Sequence, residues 1–294
     1  MTAPLFDTIC FVGIGHINSS LARAVRQHKL ARRLTTLEIS DKARATALEL
    51  GVVDEAFTDA AQAIPAADLV VVGTPVGAIE AVGQAIGPHL KPGAIVTDVG
   101  SVKLAVVRDL APHIPDGVHF VPGHPIAGTE FSGPESGLAD LFKGRWHILT
   151  PPPATDAQAT DRVAALWRAV GAQVEIMEPA HHDKVLAITS HLPHLIAYTI
   201  VGTASDLEEH LAQEVIKFSA SGFRDFTRIA ASDPIMWRDI FLNNRESVLE
   251  VIQRFTEDLT ALQRAIRWGE GEALEDRFTK TRAIRRAIID AKQA

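Results

Sequence analysis

FVGIGHINSS, residues 11–20, joins an apolar run to a helical pattern through two glycines. A strand that ends in a tight glycine turn and feeds directly into a helix is the opening unit of a dinucleotide-binding βαβ fold. Gly13 permits the turn and Gly15 lets backbone approach a pyrophosphate. The helix N-terminus behind them offers N–H donors and partial positive charge, so Ile14, His16 and Ile17 are candidate cofactor contacts with the two glycines. Asn18 stands where the fingerprint has its third glycine. It puts the closest helix-to-strand packing in question, and Ser19 or Ser20 is available to cap the helix.

Outward from this turn, the segments 8–13, 35–39, 68–75, 94–101 and 118–125 read as buried, β-branched strands bounded by turn residues. Helical spacing fills the gaps between them, which predicts a Rossmann-like α/β domain with a doubly wound, mainly parallel sheet. After one further helix and strand the pattern is helical almost to the end. The predicted division is therefore residues 1–177 for dinucleotide binding and 178–294 for an all-α domain that binds substrate and dimerises.

The 294 residues are 47% apolar and 22% charged with a net charge of −7, which gives no basic footprint for nucleic acid and favours a small-molecule partner. Cys10 is the single cysteine, so an intramolecular disulfide and a Cys-based metal cluster are excluded; it reads as a buried strand residue. No basic, apolar leader and no run of eighteen apolar residues is evident, which predicts a soluble, cytoplasmic protein with no membrane partner. The apolar helical stretches AITSHLPHLIAYTIVG and SVLEVIQRFTEDLTALQRAI predict a homodimer.

Glu38, at the end of the second predicted strand, is placed to accept hydrogen bonds from both ribose hydroxyls of NAD and to repel the extra phosphate of NADP. Ser40 with Lys42 is the competing feature for a 2′-phosphate, so NAD is favoured over NADP without NADP being excluded. Thr74 and Pro75 follow the next strand and face the same crevice. Ser101 ends the strand after that, either aimed into the crevice or capping the following helix.

VPGHPIAGTEFSG, residues 121–133, is too rich in Gly and Pro for regular structure and reads as a shaped loop. His124 within it can exchange a proton near neutral pH, as dehydrogenation of an alcohol requires. His181 and His182 are adjacent, point apart on a helix and have no carboxylate cluster, so no metal site is predicted.

GHPIAGTE, with DVGSVK, SHLPH and GFRDFTRIAASDPIMWRDIF, closely resembles the prephenate/arogenate dehydrogenase family of tyrosine biosynthesis, in order and over nearly the whole chain. The resemblance implies NAD(P)-dependent oxidative decarboxylation. It implies that His124 is the catalytic histidine and that Ser101 orients it. It further implies that His194 binds substrate with His191 beside it, and that Arg228 clamps a substrate carboxylate. Thr129, Glu130 and Asp225 would form the polar rim, and Trp237 a pocket wall of the kind a partner subunit can supply. Of His191 and His194, one is expected to be a core histidine, and the motif favours His194 for function.

Overall fold

The computed structural model describes residues 3–205, 214, 217 and 220–290. Strands β1 (Phe6–Val12), β2 (Ala31–Leu37), β3 (Glu55–Phe57), β4 (Leu69–Val72), β5 (Ile95–Asp98) and β6 (His119–Val121) form one parallel sheet in the order β3-β2-β1-β4-β5-β6. The order reverses between β1 and β4, and in such sheets the ligand crevice lies at the carboxyl ends of the strands beside that reversal. Helices α1 (His16–Gln27), α2 (Asp41–Glu49), α3 (Ala60–Ala63), α4 (Ile79–Ile86), α5 (Lys103–Leu110) and α6 (Ala157–Ala169) belong to this layer system.

Successive strand residues alternate between two cores. Ile9, Phe11, Leu69 and Val71 join one cluster with Leu21, Val25, Val163 and Trp167, so α1 and α6 cover that face. Cys10, Val12, Val70 and Val72 join the other with Ile79, Ile86, Val106 and Leu110, under α4 and α5. Because both faces are covered, the strands read as unbroken apolar runs.

Asn18 answers the packing question raised by the missing glycine. It is buried, and its Nδ2 donates to Gly13 O at 2.7 Å and to Val71 O at 3.2 Å, pinning the turn to β4. The space is shared with Gly73, where an added Cβ would overlap the Asn18 amide. Neither serine caps α1: its N-cap is Gly15, while Ser20 Oγ donates to His16 O and Ser19 Oγ to Pro134 O.

The predicted strand at 118–125 is two strands in two sheets. Pro122, which has no N–H for a ladder, separates β6 from β7 (Gly123–Pro125). β7 pairs antiparallel with β8 (Trp146–Leu149), and β8 pairs in parallel with β9 (Gln173–Ile176). β2 likewise starts earlier than predicted and stops at Leu37, leaving Glu38 in the loop beyond it.

After β9, α7 (Pro179–Leu186) leads through a π-helical turn (Ala187–His191) into α8 (Leu192–Ser205). Pro193 cannot donate a helical hydrogen bond, and the wide turn precedes it, as such turns often do at functional sites. Among the described residues, Pro179–Ala204 is long and apolar enough to cross a membrane, with mean hydropathy 1.4. It also carries His182, Asp183 and His191, all buried and hydrogen-bonded to other elements of the same unit.

The chain divides into two compact units, Met1–Arg245 and Glu246–Ala294. The change from strands to helices near residue 177 therefore falls inside the first unit. Among the described residues the second holds two helices, the greater part of Arg245–Trp268 followed by Gly271–Asp290, with an Arg277–Asp258 ion pair at 2.9 Å joining them. Leu259, Ile266, Trp268, Phe278 and Ile284 are exposed there.

Gly73→Ala places a methyl group against a buried amide and is expected to cost about 1–3 kcal/mol of stability. A urea unfolding midpoint equal to that of the wild type would contradict this account of the turn.

Candidate active site

Asp183, on α7, is buried and acts on a different element. Its Oδ1 accepts from Lys103 N at 2.8 Å and its Oδ2 from Leu104 N at 3.0 Å, so it caps the free N–H groups that open α5. Of the two alternatives for Ser101, capping is not the one found: the cap is supplied by Asp183, and the N-cap position itself is Val102. Asp183 Oδ1 also meets His182 Nδ1 at 2.8 Å, and His182 Nε2 meets His124 Nδ1 at 2.9 Å.

The direction of this chain follows from its end. A carboxylate only accepts, so His182 carries its proton on Nδ1 and presents a lone pair at Nε2. His124 must then donate from Nδ1, which leaves the lone pair of its own Nε2 without a protein partner among the described residues. Burial holds His124 well below the usual imidazole range, reinforced by His182, Lys103, His147 and His191. At neutral pH His124 is therefore an uncharged, oriented proton acceptor. His124 Nδ1 donates to His182 rather than bonding to Ser101, which lies half-buried on the loop after β5.

A second buried charge fixes β7. Asp98 ends β5, pairs with the Lys103 ammonium and accepts from Gly123 N at 3.0 Å, while Lys103 Nζ donates to Gly123 O at 2.6 Å. Both backbone groups of the residue before His124 are thereby held. Gly123 is required there, because an added Cβ would lie 2.5 Å from His147 Nε2. His147 is itself fully buried and stacked on Trp167.

The predicted substrate residues divide into those that meet and those that do not. His194 stacks on Trp237 with ring centroids 3.7 Å apart, and both belong to this one chain. His191 is the core histidine: fully buried, it receives Asn244 Nδ2 at 3.1 Å, and burial lowers it to about 4. Arg228 pairs with Glu130 at 2.9 Å with its side chain 58% exposed. Thr129 reaches His16 instead of Arg228, and Asp225 is exposed on the helix Ser221–Thr227.

The glycine turn fits a dinucleotide. Gly13 has φ +79°, and a Cβ on Gly15 would meet nothing within 4 Å, so the backbone above α1 is open to close approach. Thr74 Oγ1 is buried with no partner, as befits a group awaiting a polar ligand, and Pro75 beside it is exposed. Glu38 accepts from Ile14 N at 3.0 Å and Ser40 N at 2.9 Å, which sets its carboxylate at the turn. Ser40 Oγ caps α2, so one of the two groups that could receive a 2′-phosphate, Ser40 and Lys42, is already engaged. Ile17 is partly buried against the first core and His16 is buried.

Comparison with known proteins identifies the family. Residues 21–176 match the prephenate dehydrogenase nucleotide-binding domain, and residues 178–280 match the prephenate dehydrogenase dimerization domain. The chain belongs to the prephenate dehydrogenase family. A cyclohexadienyl dehydrogenase of Zymomonas mobilis is 39% identical over 97% of both chains. The crystal structure of an A. aeolicus prephenate dehydrogenase, in complex with hydroxyphenyl propionate and NAD+, is 37% identical, covers 96% of this chain and 98% of its own, and has a TM-score of 0.88. A Synechocystis arogenate dehydrogenase structure, 27% identical, covers 95% and 98% with a TM-score of 0.78. Membership makes this chain an oxidoreductase with an N-terminal nucleotide-binding domain.

His182, Asp183, Lys103 and Asp98 were not singled out from the sequence as functional. His182 enters the sequence reading only beside His181, as a pair that argues against a metal site, and Asp183 carries no local signal.

Six histidines, His16, His124, His147, His182, His191 and His194, are depressed chiefly by burial. The unfolded chain binds these protons below about pH 6.5 and the folded chain does not, so stability falls as pH falls from there. With a folded value of about 4, His191 alone contributes about 2 kcal/mol of that loss by about pH 5. Thermal unfolding from pH 7.5 to 5 should show a steadily decreasing Tm; a flat profile would contradict the buried, neutral cluster.

Proposed function

We propose that the chain catalyses NAD-dependent oxidative decarboxylation of prephenate, and to a lesser extent arogenate, with His124 as the base. The observation that carries this is the Asp183–His182–His124 chain, which presents one neutral imidazole with its Nε2 lone pair available. NAD, when bound, supplies the hydride acceptor. His124 Nε2 accepts the proton of the ring hydroxyl as the carbon bearing it is oxidised. The resulting ketone lies across the ring from the carbon that bears a carboxylate, so carbon dioxide leaves, its bonding electrons enter the ring, and aromatisation drives the reaction forward. Ser101 shares the hydroxyl contact in this reading.

Arg228 is the substrate clamp. Its bond to Glu130 is a surface ion pair, worth about 0–1 kcal/mol, and is readily exchanged for a bidentate substrate carboxylate. His194, held flat on Trp237 with Nδ1 against Ser190 O at 2.9 Å, offers its other nitrogen to the substrate. Thr129 and Asp225 complete the polar rim, and His191 supports it from the core.

Gly13, Ile14, Gly15, His16, Ile17, Thr74 and Pro75 hold the dinucleotide, and Glu38 selects NAD over NADP. Residues 1–177 serve the cofactor and 178–294 the substrate and a second copy, with the exposed apolar side chains of the second unit covered in a cytoplasmic homodimer.

Initial rates at 340 nm with prephenate or arogenate, each offered with NAD or NADP, test the reading directly. The prephenate and NAD mixture is expected to be fastest. His124→Asn should lower kcat by about 10²–10⁴-fold with NAD affinity retained. No reduction in any mixture would overturn the proposal, and light scattering at the monomer mass would overturn the dimer.

A further inference from the structure

His16 opens α1 at the glycine turn, yet its side chain is bonded to the segment that follows β7. Its Nδ1 lies 2.9 Å from Ser136 Oγ, and its Nε2 lies 3.5 Å from Thr129 Oγ1. Ser136 Oγ donates its own proton to Gly133 O at 2.8 Å, so it accepts from His16 Nδ1–H. His16 Nε2 is then an acceptor, and Thr129 donates to it. Burial keeps the imidazole uncharged, which this arrangement requires.

The surrounding contacts make turn and segment one body. Ser19 Oγ donates to Pro134 O at 2.7 Å, and Leu138 N donates to Ser20 Oγ at 3.0 Å. A Cβ on Gly137 would overlap the Ser19 hydroxyl, so the two backbones approach as closely as glycine allows. The residue after Thr129 is Glu130, which holds Arg228. A short path of named bonds thus runs from the nucleotide turn to the guanidinium assigned to the substrate.

We infer that His16 is a positioning residue that couples occupancy of the glycine turn to the placement of Thr129 and Glu130, so that nucleotide and substrate bind cooperatively. The inference rests on the proposed dehydrogenase reading of the site. Nucleotide fixes the N-terminus of α1, His16 fixes Thr129, and the cost of ordering the substrate loop is met before the second ligand arrives. By linkage the effect is reciprocal: a bound substrate analogue tightens nucleotide binding by the same factor.

Calorimetric titration of the full chain with hydroxyphenyl propionate, with and without saturating NAD+, measures this factor. For the wild type, NAD+ is expected to tighten the analogue about tenfold. In His16→Leu, and separately in Ser136→Ala, which removes a single hydroxyl outside the proposed ligand contacts, the factor should shrink to about twofold or less. Loss of packing alone would weaken one ligand or the other without altering their ratio. Two ligands that bind the wild type independently, or a factor unchanged in both variants, would overturn the inference while leaving the dehydrogenase reading standing. A wild type that binds neither would overturn both.

Discussion

The carboxylate of Asp183 is the constraint on which the rest of the site depends. It closes two open N–H groups at the start of α5 and fixes the proton of His182, so one side chain joins the helical run after β9 to the sheet and sets the tautomer of the His124 imidazole. A buried carboxylate is costly unless each lone pair is used, and Asp183 is stabilised by three donors together with the partial charge of a helix N-terminus. Removing it would leave unpaired N–H groups as well as an unfixed histidine. Its roles in folding and in orienting the site are therefore inseparable.

Asp98 and Lys103 solve the neighbouring problem of position. The chain must leave the parallel sheet after β6 and hand His124 to a second sheet, and Pro122 makes that break. A break of this kind leaves Gly123 with no ladder partner on the first sheet. Asp98 and Lys103 take its N–H and its carbonyl instead. An ion pair buried at full depth contributes little net stability, because desolvation offsets most of the attraction. What it supplies here is a fixed origin for the residue that follows.

The sheet and its helices were legible because covered parallel strands are unbroken apolar runs and the helices between them keep their period. β3 and α3 were not, being three and four residues long, too short for any period to register. The site was half legible. His124, His194, Arg228 and Trp237 sit in motifs, and glycine marks where the turn must be. His182 and Asp183 were hidden because their partners are 58 and 80 residues away in the chain, and no local spacing encodes such a meeting. Asn18 was misread for the same reason. Its side chain is measured by Gly73, in the loop just after β4, and the departure from the fingerprint is a buried strap across the turn.

Burial and partners then separate the histidines, and in the proposed reaction they single out His124. His182 uses both nitrogens along the relay, and His191 turns one to Asn244 with the other enclosed. His147 has neither nitrogen partnered and is sandwiched against Trp167, where it serves as a flat filler beneath Gly123. His16 bridges the turn and the loop. His194 remains near the surface of the cluster beside Arg228, suited to binding an anion's neighbouring polar group. Among the described residues His124 and His194 both donate from Nδ1 and keep Nε2 without a protein partner, and of the two it is His124 that is buried. A solvated imidazole at the same place would be protonated for much of the time near pH 6.5 and would face its substrate hydroxyl in either tautomer. Depressing its affinity for protons weakens it as a base, but keeps it free to accept, and the relay ensures that the accepting atom is always the same one.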